Sequence, residues 1–541
     1  MGHLQPIRLL ILTSYLRCPP LSGGAQRMIG PIVRLAQLGH YQVTFLFQCR
    51  DDGEVRRAEV YFASYPWISV IGVTTETDFD IAGDRLSSEI PVEVLDLMDL
   101  GYCKEVERLL STRHFDIIQV EHSQMSWIVP IVRPLAPDTS VILEMQNVEY
   151  RIWERWSRYA GRGDEQQISN LFQRMRKWEH EVWHWYDACL TIAPEETEIA
   201  RSRLADQMPV YEVPVGIDVE RFSRQPQAAE NRARSIVFVG TLEWFPNTHG
   251  LKWFVEGVLP AIRSRLPEAK FAIAGYGQLQ DELAACVNGR QDVELLGTID
   301  PDQEQDLLSQ CGVFVVPLWI GAGARVKIAT AWAAGAPVVT TSIGAEGLDC
   351  RDEENVLVAD DPARFADQVV RVLEDPGLAE HLAENGRRMV AERYSLDGNA
   401  RLLHEIYVSL KRRGMPHAEA ERRSSHSVGA LGVPGDVAAG SAGPAEERQV
   451  LTVTPAALAR IEERRRAIRA LLELKSDLKY VAARRRAHLL YEIAAKERVI
   501  QDLSLQADHL RTVLNSAPYR LWKRTRMMLP APLRRALGSP V

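Results

Sequence analysis

The chain has 541 residues, 25% of them charged and 46% hydrophobic, with a formal net charge of −8. That length exceeds one ordinary core and predicts two domains plus further material, with the composition of an ordinary soluble globular protein. The charge is uneven: residues 451–541 hold 19 Lys and Arg against 8 Asp and Glu, which leaves the tail basic and the body acidic. The seven cysteines (Cys18, Cys49, Cys103, Cys189, Cys286, Cys311 and Cys350) stand isolated, without zinc or redox spacing, as expected in a reducing compartment. No run approaches the ~18 apolar residues of a spanning helix. The N-terminal run IRLLIL is too short for a signal peptide, and Pro6 breaks a myristoylation pattern. The expectation is a cytoplasmic protein, at most peripheral on the inner face of a membrane.

In chain order, short β-branched runs alternate with amphipathic helical stretches. IRLLIL (7–12) leads through a Gly23/Gly24 loop into a helix ending near Leu38. VTFLF (43–47), ISVIGV (68–73), DIIQVE (116–121), SVILEM (140–145) and ACLTIA (188–193) continue the series, and PVYEVPVGIDVERF (209–222) reads as a crossover. A second series follows with SIVFVG (235–240), KFAIAG (270–275), VELLG (293–297), GVFVVP (312–317), PVVTT (337–341) and NVLVAD (355–360). Most runs are continuously apolar, as strands buried on both faces of a parallel sheet are. Two such series predict an α/β protein of two facing, doubly wound domains, 1–205 and 206–411, with the last helix crossing back to the first. Ligands in such sheets sit at the carboxyl ends of the strands, so the cleft between the domains is the expected site.

Residues 412–450, rich in Gly, Ala, Pro and Ser, read as a flexible linker. Over 454–516, within a segment bounded at 451–516, Ile461, Ile468, Ala482, Leu489, Leu503 and Leu510 recur every seventh residue, interrupted by Lys475 and Lys496. That pattern predicts an imperfect coiled coil able to join copies of the chain, a solvated charged helix being the alternative. The tail 517–541 mixes Tyr519, Leu521, Trp522 and Met527 with six basic residues. It suits either docking on anionic lipid headgroups or a protein partner. No recognised motif supports nucleic-acid binding.

The clearest chemical signal is GAGARVKIATAWAAG (321–335). Arg325 and Lys327 open a helix, against the macrodipole, in a stretch without any carboxylate. Two such cations at a strand's carboxyl end suggest an anion, a phosphate above all. SGGAQR (22–27) offers close backbone approach and a helix N-terminus, but it is neither a GxGxxG fingerprint nor a Walker loop. His122, beside Glu121, ends the strand DIIQVE, where an imidazole can position or deprotonate a hydroxyl; a structural His is the alternative. Asn147 and Glu149 follow SVILEM and either face the cleft or cap the helix beginning at RIWERW. Ile168, Leu171, Met175, Trp178, Val182 and Trp185 form a helical core stripe. Trp153, Trp156 and Trp183 lie off it, free for packing, for a sugar or for a lipid interface. GxSxG and CxxC patterns are absent, and no metal site is expected.

Taken together, SGGAQR, VPVGIDVERF, FVGTLEWFPNTHGLKWF, FAIAGYGQLQDEL, VELLGTID, VPLWIGAGARVKI and AWAAGAPVVTTSIGAEGL resemble, in order and spacing, the retaining glycosyltransferases of the GT-B fold, the family-4 group. The resemblance covers roughly 7–410. It implies an acceptor-side first domain, a donor-binding second domain, and transfer of a sugar from a nucleotide diphosphate to an acceptor hydroxyl, with retention and without a metal or other cofactor. A sugar or lipid-linked acceptor in surface polysaccharide or lipid-linked glycan assembly is expected. It further implies that Arg325 and Lys327 clamp the donor diphosphate, that Gly23 and Gly24 approach the donor or acceptor, and that Gly240 and Thr241 line the donor side. His122 is placed by the resemblance near the reacting sugar, and Glu346 in a supporting donor role. The departures are Ala322 and Thr330 where the family carries two Glu, Gln146 where a His is common, and no basic residue after the VGT strand, where Trp244, Phe245 and Pro246 stand. Thr330 retains at most one hydrogen bond to a ribose. The competing expectation is a catalytically weak or inactive scaffold that binds a nucleotide sugar or a partner.

Overall fold

The computed structural model describes residues 6–75, 90–158, 165–204, 207–222 and 235–413, and a helical pair at 465–466. The coiled-coil and basic-tail expectations, and the linker beyond residue 413, otherwise lie outside the described residues. The first domain is a seven-stranded parallel sheet: β1 (Ile7–Thr13), β2 (Tyr41–Cys49), β3 (Ile68–Thr74), β4 (Ile117–Glu121), β5 (Ser140–Glu144), β6 (Ala188–Thr191) and β7 (Val210–Glu212). The spatial order is β3-β2-β1-β4-β5-β6-β7. β4 and β5 are buried at every residue, as their unbroken apolar runs require. The segment read as a crossover contains the seventh strand, β7, whose Val210, Tyr211 and Glu212 pair in parallel with β6. Three residues are too few for a periodic signal.

The second domain is a six-stranded parallel sheet of β8 (Ser235–Val239), β9 (Lys270–Ala274), β10 (Val293–Gly297), β11 (Val313–Val316), β12 (Val338–Thr340) and β13 (Leu357–Val358). Its order is β10-β9-β8-β11-β12-β13. The apolar run VELLG forms an edge strand rather than a buried one: Leu295 and Leu296 are exposed.

The order of strands reverses between β1 and β4 in one sheet and between β8 and β11 in the other. Chains leaving adjacent strands at such a point turn to opposite faces and open a crevice. These two crevices position the site. The final helix, Leu396–Arg413, packs into the first domain: Ala400, Leu403, Ile406, Tyr407 and Leu410 share the core of β1 and β2. Arg34 grips Asp397, and Tyr41 Oη lies 2.8 Å from His404 Nδ1. Among the described residues, no helix is long and apolar enough to cross a membrane.

Candidate active site

After β1 the chain turns through Thr13, whose hydroxyl donates to the Tyr15 carbonyl at 3.0 Å. After β4 comes His122, at φ 66 and ψ 142, a conformation that L-residues avoid at a cost on the order of 1–3 kcal/mol. Its backbone N–H donates to the Glu144 carbonyl at 3.0 Å, and its Nε2 lies 3.5 Å from Tyr15 Oη. Burial lowers the imidazole to about 4, so it is neutral at pH 7 and able to accept a proton. Glu121, one residue earlier, is fully buried; desolvation and then the Glu144 charge raise its carboxyl to about 8. It accepts from Gln119 Nε2 at 2.7 Å and Gln146 Nε2 at 3.0 Å, so it supports the loop rather than facing the cleft.

The Gly pair opens the helix Gly23–Gln37, capped by Ser22. A Cβ at Gly24 would lie 2.8 Å from Tyr15 Oη and 3.0 Å from Gln146 Oε1, while one at Gly23 would lie 3.3 Å from Val326 of the other domain. Both glycines therefore serve close packing around Tyr15 and across the cleft. Arg27 of the same motif is a buried structural cation, donating to Glu144 Oε1 at 3.1 and 2.7 Å and to the Pro214 carbonyl at 2.6 Å.

Asn147 does not cap the helix Glu149–Trp156; its Nδ2 donates to Glu149 Oε1 at 2.5 Å. The cap comes from Glu179, which accepts from the backbone of Glu149 and Tyr150 and from Ser123 Oγ, and Glu196 takes the Val148 N–H at 2.9 Å. Burial raises the Glu149 carboxyl, against Gln124 and Asn147. The other end of that helix reaches the second domain. Arg155, buried, donates to the Gly321 carbonyl and to Glu346 Oε2, and Trp156 stacks on Phe245 at 4.5 Å. Glu346 is thus an interdomain partner of Arg155. Arg17 forms a second link, to Tyr276 Oη at 2.5 Å and to Glu243 at 3.5 Å.

The helix Val326–Ala333 explains its own lack of carboxylates. All its residues from Ile328 to Ala333 are buried, and Gly335, at φ 76, closes it. Arg325 is its N-cap residue and is 7% exposed. Its guanidinium donates to the carbonyls of Ala322, Gly323 (2.8 Å) and Ile343 (3.3 Å), while its Nε is buried without a partner. Burial, then Arg155, lowers it to about 10. Gly321 makes room for that guanidinium, and Gly323, at φ 72, for Gln146 and Asn147 of the first domain. Lys327, half-buried, donates to Asn247 Oδ1 at 2.8 Å and sits 4.1 Å above the Phe238 ring. Desolvation, then Arg325, brings it down to about 7. A Cβ on Gly240 would lie 2.8 Å from Lys327 Nζ, and the Thr241 carbonyl accepts from Asn247 Nδ2 at 2.8 Å. Thr330 is 5% exposed, and its hydroxyl donates to the Val326 carbonyl at 3.0 Å. Its proton is already committed to its own helix.

Between the domains lies a cavity of about 340 Å³, lined by Tyr15, His122, Gln124 and Glu149, by Glu93 from the helix Val92–Leu97, and by Trp153, Trp156, Trp244 and Phe245 among others. Trp153 and Trp156 stack at 5.1 Å, whereas Trp183 is buried in the core. Tyr15, Glu93, Gln124, Arg155, Glu179 and Asn247 carry no signal of their own in one sequence. Asn247 alone falls within a motif, FPNTHG.

Residues 233–375 match the family model for Glycosyl transferases group 1. The chain carries a group 1 glycosyltransferase domain. It is similar, at 30% identity over 189 residues, to an uncharacterized glycosyltransferase of Methanocaldococcus jannaschii, covering 34% of this chain and 47% of that protein. The chain spans about half the length of the curated relatives it matches. Its fold is that of sucrose-phosphate synthase from Thermosynechococcus elongatus, at TM-score 0.57, 16% identity and 74% and 99% coverage of the two chains. It is also that of Anabaena HepE, solved in complex with UDP-glucose, at TM-score 0.54, 12% identity and 74% and 100% coverage. Both sheets are therefore the two Rossmann-like halves of a GT-B fold, and the group 1 domain is the half that carries Arg325 and Lys327.

Proposed function

We propose that the chain is a metal-independent, retaining glycosyltransferase that moves a sugar from a nucleotide diphosphate to an acceptor hydroxyl. The observation that carries this reading is the apposition of two switch points. A neutral His122 beside Tyr15 ends β4, and a buried arginine with an unpartnered Nε and a half-buried lysine follow β11. Arg325 and Lys327 neutralise the charge that develops on the departing diphosphate, as a divalent metal does in other sites. His122 and Glu149 face the acceptor. The UDP-glucose bound by the Anabaena neighbour makes a uridine donor the first to try. The basic composition of 517–541 supports an acceptor held at a membrane, in surface polysaccharide or lipid-linked glycan assembly.

Thr330 favours a second reading, a scaffold that binds a nucleotide sugar with little turnover, because its hydroxyl is spent on Val326. The purified full chain, assayed for hydrolysis and transfer with UDP-, GDP- and dTDP-sugars, with and without chelator, separates the two. Turnover that survives chelation and keeps the donor's anomeric configuration supports the transferase. Donor binding without turnover supports the scaffold.

A further inference from the structure

The cavity between the domains has a chemistry that the diphosphate clamp does not use. Arg325, Lys327 and Gly240 do not line it; it lies on the Tyr15 and His122 side of the cleft. Its walls contain two carboxyl groups, Glu93 and Glu149, and neither Lys nor Arg. The imidazole at its edge is held neutral by burial. Two oxygens on this wall, Glu93 Oε2 and Gln124 Oε1, are buried without a hydrogen-bond partner among the described residues. Gln124 already turns its amide toward Glu149, which leaves its carbonyl oxygen over. A buried acceptor without a donor is costly, on the order of 1–3 kcal/mol, and a ligand hydroxyl removes that cost. The same cavity is lined by the stacked rings of Trp153 and Trp156, with Phe245 of the other domain against Trp156. Flat aromatic faces take the C–H face of a pyranose, and they leave its hydroxyls for polar groups at the rim.

We infer that this cavity is the acceptor subsite and that it selects an uncharged glycoside, its ring stacked on the outer face of Trp153 and its hydroxyls directed at the side chains of Glu93 and Gln124. An acidic sugar or a sugar phosphate placed there meets two carboxyl groups and no cation in the lining, Glu93 being about half ionised at pH 7 because burial raises it to about 7. The assignment rests on the transferase reading for its role in the reaction, but the binding it describes can be measured apart from turnover.

The test is saturation-transfer NMR on the full chain with the methyl glycosides of glucose, galactose and mannose and the methyl glycosides of glucuronic and galacturonic acid, with UDP as a separate donor-side probe. At least one neutral glycoside should saturate through its ring protons, and neither uronate should. Trp153→Ala should weaken the neutral ligand by about three- to tenfold, and Trp153→Phe should restore most of it. Glu93→Gln should make a uronate detectable. A uronate that binds wild type as well as its neutral counterpart overturns the inference, and so does an unchanged titration in Trp153→Ala. UDP binding with no glycoside signal overturns the inference and leaves the donor reading standing. A glycoside signal without UDP binding supports the cavity assignment and counts against a uridine donor.

Discussion

Lys327 offers the sharpest test of the diphosphate clamp, because its charge is set by the site itself. Its ammonium is half-buried, 2.8 Å from Asn247 Oδ1 and 4.1 Å from the Phe238 ring. Burial and the neighbouring Arg325 bring its pKa from 10.5 to about 7, so the free protein is about half-charged there at neutral pH. A diphosphate favours the ammonium, and its arrival raises that pKa again. Above pH 7 the donor must therefore bind together with a proton. Affinity then falls by up to about tenfold per pH unit, ~1.4 kcal/mol, until the pKa of the bound state is reached. Between pH 7.0, where half of the lysine is charged, and pH 8.5 that amounts to about 16-fold. Titration calorimetry with UDP-glucose, or the donor that the panel identifies, in two buffers of different ionisation enthalpy reads both the slope and the proton taken up. Lys327→Met should bind weakly and without this pH dependence. In the free protein the sign is the opposite. The unfolded chain holds the lysine proton up to 10.5 and the folded one only to about 7. Stability therefore rises with pH across that window, and the rise should vanish in Lys327→Met. A flat donor affinity in wild type, or the same slope in Lys327→Met, would remove Lys327 from the clamp.

Gly275→Ala would place a Cβ 1.6 Å from the Gly240 carbonyl oxygen at φ 152; urea denaturation should show a loss above ~3 kcal/mol or no fold at all. Gly39→Ala, at φ 75 in open space, should cost only about 1 kcal/mol, and equal midpoints for the two would refute the close-approach argument. Thr330→Val should leave the donor KM within about twofold, since the hydroxyl serves the Val326 carbonyl; a tenfold rise would return Thr330 to the ribose. Arg155→Met removes the buried link from the helix Glu149–Trp156 to Gly321 and Glu346. It should lower stability by about 2–4 kcal/mol and raise the donor KM more than it lowers kcat, as steady-state kinetics would show.

The parallel sheets were legible because their strands are buried on both faces and read as unbroken apolar runs. Where burial fails the signal misleads, as in VELLG, whose leucines line an edge, and where a strand is only three residues long, as in β7, it vanishes. His122, Arg325 and Lys327 were legible as strand-end residues of unusual type. Their settings were not. The cap on the helix Glu149–Trp156 comes from Glu179, thirty residues further along the chain, and the partner of Glu346 comes from the other domain. A carboxylate that arrives from a distant helix leaves no local spacing to read. The glycines of GAGA carried no local signal of what they admit, which is the chain's own atoms: the Arg325 guanidinium at Gly321 and Gln146 and Asn147 at Gly323.

On the proposed reading Arg325 has two tasks, and a substitution must separate them. As a surface cation aimed at a phosphate, its removal would abolish transfer and leave folding intact. Buried as it is, with carbonyls of Ala322, Gly323 and Ile343 on its guanidinium, its removal also takes a donor from three carbonyls of the loop and its neighbour. Arg325→Ala should lower second-domain stability by about 2–4 kcal/mol in addition to abolishing transfer. Arg325→Lys keeps the charge and one or two of those bonds but loses the planar fork. Thermal denaturation should recover most of the lost stability in Arg325→Lys, while transfer stays at least about tenfold down for want of bidentate contact with the diphosphate. Wild-type stability in Arg325→Ala would show that the loop holds itself without the guanidinium. Wild-type transfer in Arg325→Lys would show that the site asks only for charge, and the unpartnered Nε would then have no part in the clamp.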